Sequence, residues 1–149
     1  MYKLDEEDKK IINELGRNAR ISYRKLAKKL GLATSTVIHK YERMRAAGII
    51  KGSSIIVDSE KAGYNLLALI EIIVSKGKLV EVEEKIAKRP NVYAVYDITG
   101  DTDAMMMARF RSRKELNDFV KGLLAMDFVE RTNTHFVLNV VKEDFRVNM

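Results

Sequence analysis

The chain of 149 residues contains no cysteine, which excludes disulfides and thiolate metal sites. Proline occurs once, as Pro90. Long apolar runs are also missing. The most apolar stretch, from Leu66 to Val74, is interrupted by Glu71 and falls far short of the about 20 residues that a membrane-spanning helix needs. No apolar segment followed by a cleavage site opens the sequence, so the expected location is cytoplasmic, with no membrane partner. Scarce proline, absent cysteine and abundant Lys and Glu fit a thermophile, because ion-pair networks gain value with temperature.

What the sequence does have is a strongly uneven charge. Residues 1–52 carry 13 Lys and Arg against 6 Asp and Glu, a net of +7, whereas the remainder carries 14 against 15. A basic module joined to a near-neutral one points to a reader of double-stranded DNA attached to a part that controls it, because DNA is held largely through phosphate neutralisation. With 46% hydrophobic residues, both parts can build cores.

Periodicity predicts three helices in the basic module. The first spans 4–18, with Asp5 as its cap, Glu6, Glu7 and Asp8 at the positive end of its dipole, and Ile11, Ile12 and Leu15 as its buried stripe. Ser22 caps the second, in which Leu26, Ala27 and Leu30 face inward and Gly31 stops the helix. Gly31-Leu32-Ala33 is the tight turn of a helix-turn-helix, and the third helix starts near Thr34. Its apolar positions are Val37, Ile38, Tyr41 and Met44, which leaves Ser35, Thr36, His39, Lys40, Glu42 and Arg43 outside. Such a helix fits the major groove, where Ser, Thr and His meet base edges or phosphates and Arg grips guanine through two parallel bonds. A basic helix face is most often plain solvated surface. Here turn length, capping and localised charge together favour DNA. Tyr41 reads as core rather than as a stacking platform.

Beyond Gly48, residues 49–57 are apolar and β-branched and read as an extended strand, followed by a turn-rich stretch over 58–63. The predicted domains are a helix-turn-helix domain over 1–52, a hinge over 53–63 and a second domain over 64–149. The latter reads as strand 66–74, helix 79–88, strand 92–99, strand 104–111, helix 114–125 and strand 129–141. This β-α-β-β-α-β order predicts a ferredoxin-like fold, with both helices on one face of an antiparallel sheet, and the whole chain is α+β. The near-continuous apolar strand 66–74 predicts burial on both faces, the second beneath another copy of the chain.

The runs 4–12 (LDEEDKKII), Leu26-Ala27, Gly31-Leu32 and Arg43-Met44-Arg45 leading to Gly48-Ile49-Ile50 resemble the Lrp/AsnC family, the feast/famine regulators of bacteria and archaea, and the resemblance, to an archaeal member, continues to the end of the chain. It implies a recognition helix over 34–47, DNA binding as a homodimer, a hinge strand pairing with its counterpart in a second subunit, and a second domain that assembles dimers into tetramers or octamers and senses a small molecule. Relatives often have Ser where this chain has Ala33, so Thr34 is expected to cap the recognition helix. The candidate DNA contacts are Ser22, Tyr23, Thr34, Ser35, Thr36, His39, Lys40 and Arg43.

The link Gly100-Asp101-Thr102-Asp103 is a hairpin turn by composition, yet its carboxylates suit an ammonium group and its backbone N–H groups a carboxylate. The resemblance implies an amino-acid effector at an interface between dimers, with Gly100, Asp101 and Asp103 on this loop and Thr132 and Thr134 on the last strand. Thr102 stands where relatives commonly carry an aromatic residue. No cofactor is expected. Met105-Met106-Met107 reads as packing on a central strand, and His135 has no second ligand at metal spacing. No catalytic or metal-binding set emerges. Two rival readings are a sensor acting through protein contacts and a ferredoxin-like enzyme using Asp101, Asp103 and His135; no triad, phosphate loop or metal spacing supports the enzyme.

Overall fold

The computed structural model describes residues 2–147 and 149. The chain up to Ile56, joined by the stretch from Lys142 onward, forms one compact unit, and Val57–Val141 forms the other. The expected second domain, 64–149, therefore loses its last residues to the helical unit. Their bonds explain why: Asn13 and the Met149 backbone exchange two hydrogen bonds, and the Arg146 guanidinium donates to the Gly16 carbonyl.

The helical unit contains α1 (Glu6–Arg17), α2 (Tyr23–Leu30) and α3 (Thr34–Ala46). Asp5 caps α1 in a reciprocal box: its side chain accepts from the Asp8 N–H, and the Asp8 side chain accepts from the Asp5 N–H. Ser22 caps α2 by accepting from the Lys25 N–H. Ile11, Leu26, Ala27, Val37 and Met44 form the core, with Ile12, Leu15 and Leu30 packed around it.

In the second unit β1 (Leu66–Val74), α4 (Leu79–Ala87), β2 (Val92–Asp97), β3 (Ala104–Phe110), α5 (Arg113–Leu124) and β4 (Val129–Phe136) follow the predicted order. All pairings are antiparallel, in the spatial order β2-β3-β1-β4. Ala68, Ile70 and Ile72 alternate onto one face with Ala104, Met106, Ala108 and Phe110, against Val82 and Ile86 of α4 and Leu116, Phe119 and Leu123 of α5. The rings of Phe110 and Phe119 meet edge to face at 5.1 Å.

Two expectations about this part change, the extent of the last strand and the strand over 49–57. Within one chain the helix face of β1 buries Ala68, Ile70, Ile72 and Val74, and on the other face Leu67 is buried while Leu69, Glu71 and Ile73 are half-buried. There Glu71 accepts hydrogen bonds from Asn133 and shares one with His135, which satisfies a carboxylate on an otherwise apolar strand. Strand β4 stops at Phe136 rather than at 141, because its ladder is nearly spent: Val137 donates to Leu67, and β1 extends only one residue further, to Leu66. The stretch 49–57 lies in no strand, and Ile55, Ile56 and Val57 are exposed. Extended backbone becomes a strand only by pairing with a neighbouring edge, and among the described residues no strand of this chain pairs with 49–57.

Candidate nucleic-acid interface

The turn between α2 and α3 is built by Gly31, whose φ of 69° places it in the left-handed region, closing α2 while Leu32 donates back to the Ala27 carbonyl. Helix α3 then starts on Ala33, which has no side chain to cap with. Thr34 is the first helical residue, and the expectation that it caps α3 fails. No acidic residue occupies the first turn of α3, so the positive end of its dipole is unneutralised.

Ser35, His39, Glu42 and Arg43 are exposed on α3, and Thr36 is half-buried. Lys40 is not on that face. Its side chain is only 12% exposed and its ammonium meets the carboxylates of Asp5, Glu7 at 3.3 Å and Asp8 at 3.2 Å. The inward stripe is Val37, Lys40, Tyr41 and Met44, at i, i+3, i+4 and i+7, and Ile38, expected inside, is 40% exposed. A lysine takes the inward position because the acidic start of α1 lies opposite it. Burial alone would lower the Lys40 pKa; hydrogen bonds to Asp5, Asp8 and Glu7 outweigh that and hold it above the ordinary lysine value.

Tyr23 also turns inward, its ring centroid 5.3 Å from that of Tyr41, while Ser22 is exposed but spends its hydroxyl on the α2 cap. Arg43 reaches back across the unit, with its guanidinium carbon 5.0 Å from the Tyr2 ring centroid. Arg24, Lys25 and Lys28, which are not among the expected contacts, are all exposed on α2. Arg24 and Lys28 are spaced i, i+4, opposite the Leu26–Ala27–Leu30 stripe.

The acidic cluster gives a pH dependence. The Asp5 carboxylate is held below its ordinary value, first by the hydrogen bond from Lys40 and then by the Asp8 N–H. A depressed folded pKa stabilises the folded unit above about pH 4, and that contribution is lost as the pH falls through the lower folded value. The raised Lys40 pKa keeps its contribution intact until strongly alkaline pH. Thermal unfolding followed by circular dichroism is therefore expected to show the helical unit losing stability as the pH drops below about 4; an acid-insensitive midpoint would contradict the cluster.

In the second unit, Gly100 has a φ of 130° and opens the loop before β3. Asp101 is exposed. Asp103 is committed to the sheet: its carboxylate accepts from the Val74 N–H at 2.7 Å and its own N–H donates to the Ile72 carbonyl. Thr132 and Thr134 pair with Ile72 and Ile70 on the far edge of the sheet, with β1 between them and β3. Thr132 and Thr134 thus lie two inter-strand spacings, about 10 Å, from β3. Among the described residues no group of three His, Asp or Glu is placed to hold a metal ion, and no helix is long and apolar enough to cross a membrane.

Comparison with known proteins agrees with this architecture. Residues 4–45 match the AsnC-type helix-turn-helix domain, and residues 67–147 the Lrp/AsnC ligand binding domain. An HTH-type transcriptional regulator of Pyrococcus abyssi is 46% identical over 144 residues, covering 97% of this chain and 98% of that protein. The HTH-type transcriptional regulator FL11 of Pyrococcus furiosus is 41% identical over 140 residues, with 94% and 93% covered. Among solved structures, AsnC of E. coli superposes with a TM-score of 0.87 at 29% identity, covering 95% of this chain and 97% of its own. A transcriptional regulator of Neisseria meningitidis in complex with L-Met gives 0.88 at 26%, covering 97% and 96%.

Proposed function

Since this chain belongs to the Lrp/AsnC family of HTH-type transcriptional regulators, we propose that it reads duplex DNA with the outer edge of α3, through Ser35, Thr36, His39 and Arg43, assisted by Arg24, Lys25 and Lys28 of α2. The observation that carries this reading is the exposure of a polar and cationic α3 edge on a unit holding the whole positive excess of the chain. Two copies place two such helices in successive major grooves, about one helical turn apart. The exposed Ile55, Ile56 and Val57 and the half-buried outer sheet face are what a second copy covers.

The effector is an amino acid or a related small molecule, as in the L-Met complex of the Neisseria regulator. Asp101 takes the ammonium role, because Asp103 is already bonded to β1. The carboxylate meets backbone N–H groups opened by Gly100, and Thr132 and Thr134 complete the site from another copy. The ligand acts by favouring one assembly over another, which is the condition for allosteric control.

Sequencing the genomic DNA retained by the purified protein, with and without a panel of amino acids, tests target and effector together. On a duplex so identified, Arg43→Ala is expected to weaken binding about tenfold to a hundredfold, the worth of one bidentate base contact, with the fold intact by circular dichroism. Unchanged affinity would show that α3 presents a different edge.

A further inference from the structure

Arg43 is a long, exposed side chain, and its use as a base reader depends on its being held in one place. The structure shows what holds it. The Tyr2 ring lies against its guanidinium, with 5.0 Å between the guanidinium carbon and the ring centroid. Tyr2 is itself tethered: its hydroxyl donates to Asp8 Oδ2 at 3.1 Å. Asp8, 1% exposed, is locked in the α1 capping box and accepts from Lys40 through its other oxygen at 3.2 Å. Lys40 stands one turn before Arg43 on the same helix. Arg43, Tyr2, Asp8 and Lys40 therefore close a loop of contacts that begins and ends on α3.

We propose that Tyr2 is a positioning residue for DNA reading, holding the Arg43 guanidinium over its ring so that Arg43 enters the groove already ordered. The inference rests on the assignment of Arg43 to the DNA face. A guanidinium over an aromatic face keeps its in-plane N–H donors free, so the stack orders the side chain without consuming the bonds that read guanine. It removes conformational freedom before binding, so less is lost when the base contact forms. It also acts on one contact only. Phosphate contacts made by α2 do not pass through Tyr2, so the effect falls on discrimination between sequences rather than on general affinity.

The test is a double-mutant cycle on the full, untagged chain, using the best genomic duplex and a scrambled duplex of equal length. Tyr2→Ala is expected to lower specific affinity about threefold to tenfold and to leave affinity for the scrambled duplex unchanged. In an Arg43→Ala background, Tyr2→Ala is expected to cost nothing further, because the side chain that it orders is gone. Tyr2→Phe, which keeps the ring, is expected to retain most of the specific affinity. If Tyr2→Ala perturbs folding, Tyr2→Leu removes the aromatic face while keeping apolar bulk, and the same cycle is read on it. Equal losses in both backgrounds, or equal losses on both duplexes, would overturn the positioning role. Should the unmodified chain fail to prefer any genomic duplex, the DNA reading itself fails; preference with an additive cycle removes only the role of Tyr2.

Discussion

Lys40→Ala is expected to unfold the helical unit rather than merely loosen its hold on DNA. Asp8 is 1% exposed and Lys40 supplies the positive charge beside it, with Asp5 and Glu7 closing over the same ammonium. Removing one partner of a buried pair leaves the other as an uncompensated charge in low dielectric, which costs about 3–5 kcal/mol. A helical unit of this size has little stability in reserve, since small domains bury a modest share of their surface. The expected result is a large fall in the thermal midpoint of the helical transition, with the transition of the sheet unit unmoved. Lys40→Met combined with Asp8→Asn removes both charges together and is expected to recover most of the loss, because the penalty belongs to the unpaired charge rather than to the missing bond. An unchanged midpoint for Lys40→Ala, accompanied by weaker DNA binding, would return Lys40 to the outer face.

Lys40 also marks where local sequence information ends. Caps and stops were legible because their chemistry is local: Asp5 and Ser22 meet N–H groups three residues on, and Gly31 adopts the left-handed backbone that ends α2. Strand β1 was legible to the residue from its apolar content, and the β-α-β-β-α-β order from alternating periods. Sorting α3 by residue type, however, sends every lysine outward. Its true orientation depends on three carboxylates contributed by α1, and no pattern within α3 contains them. The outer limit of β4 failed for a related reason, since an apolar run forms a strand only where an edge awaits it, and β1 begins at Leu66. In the loop, composition identified a Gly-Asp turn, but the bond from the Val74 N–H that occupies Asp103 is set by sheet register. Tyr2 and Arg43 meet only through the packing of α1 on α3.

Binding of the intact chain to its preferred duplex is expected to fall steeply with salt, by about a thousandfold to a hundred-thousandfold between about 50 and 200 mM if the paired helical units neutralise about 6–10 phosphates. The exposed cations available for this on each unit include Arg24, Lys25, Lys28 and Arg43, whereas Lys29 shares Glu14 with Arg17 and Lys40 is enclosed. The sheet unit, residues 57–141, carries 12 Lys and Arg against 13 Asp and Glu and so adds no net positive charge. Each phosphate contact removed reduces the slope of log affinity against log salt by about 0.9. Lys28→Ala is therefore expected to flatten that slope and weaken preferred and scrambled duplexes alike, whereas Arg43→Ala acts mainly on the preferred one. A titration showing no salt dependence would remove the electrostatic basis for DNA binding by this surface. A slope unaffected by Lys28→Ala, with a steep response in the unmodified chain, would move the phosphate contacts from α2 to other cations of the same unit.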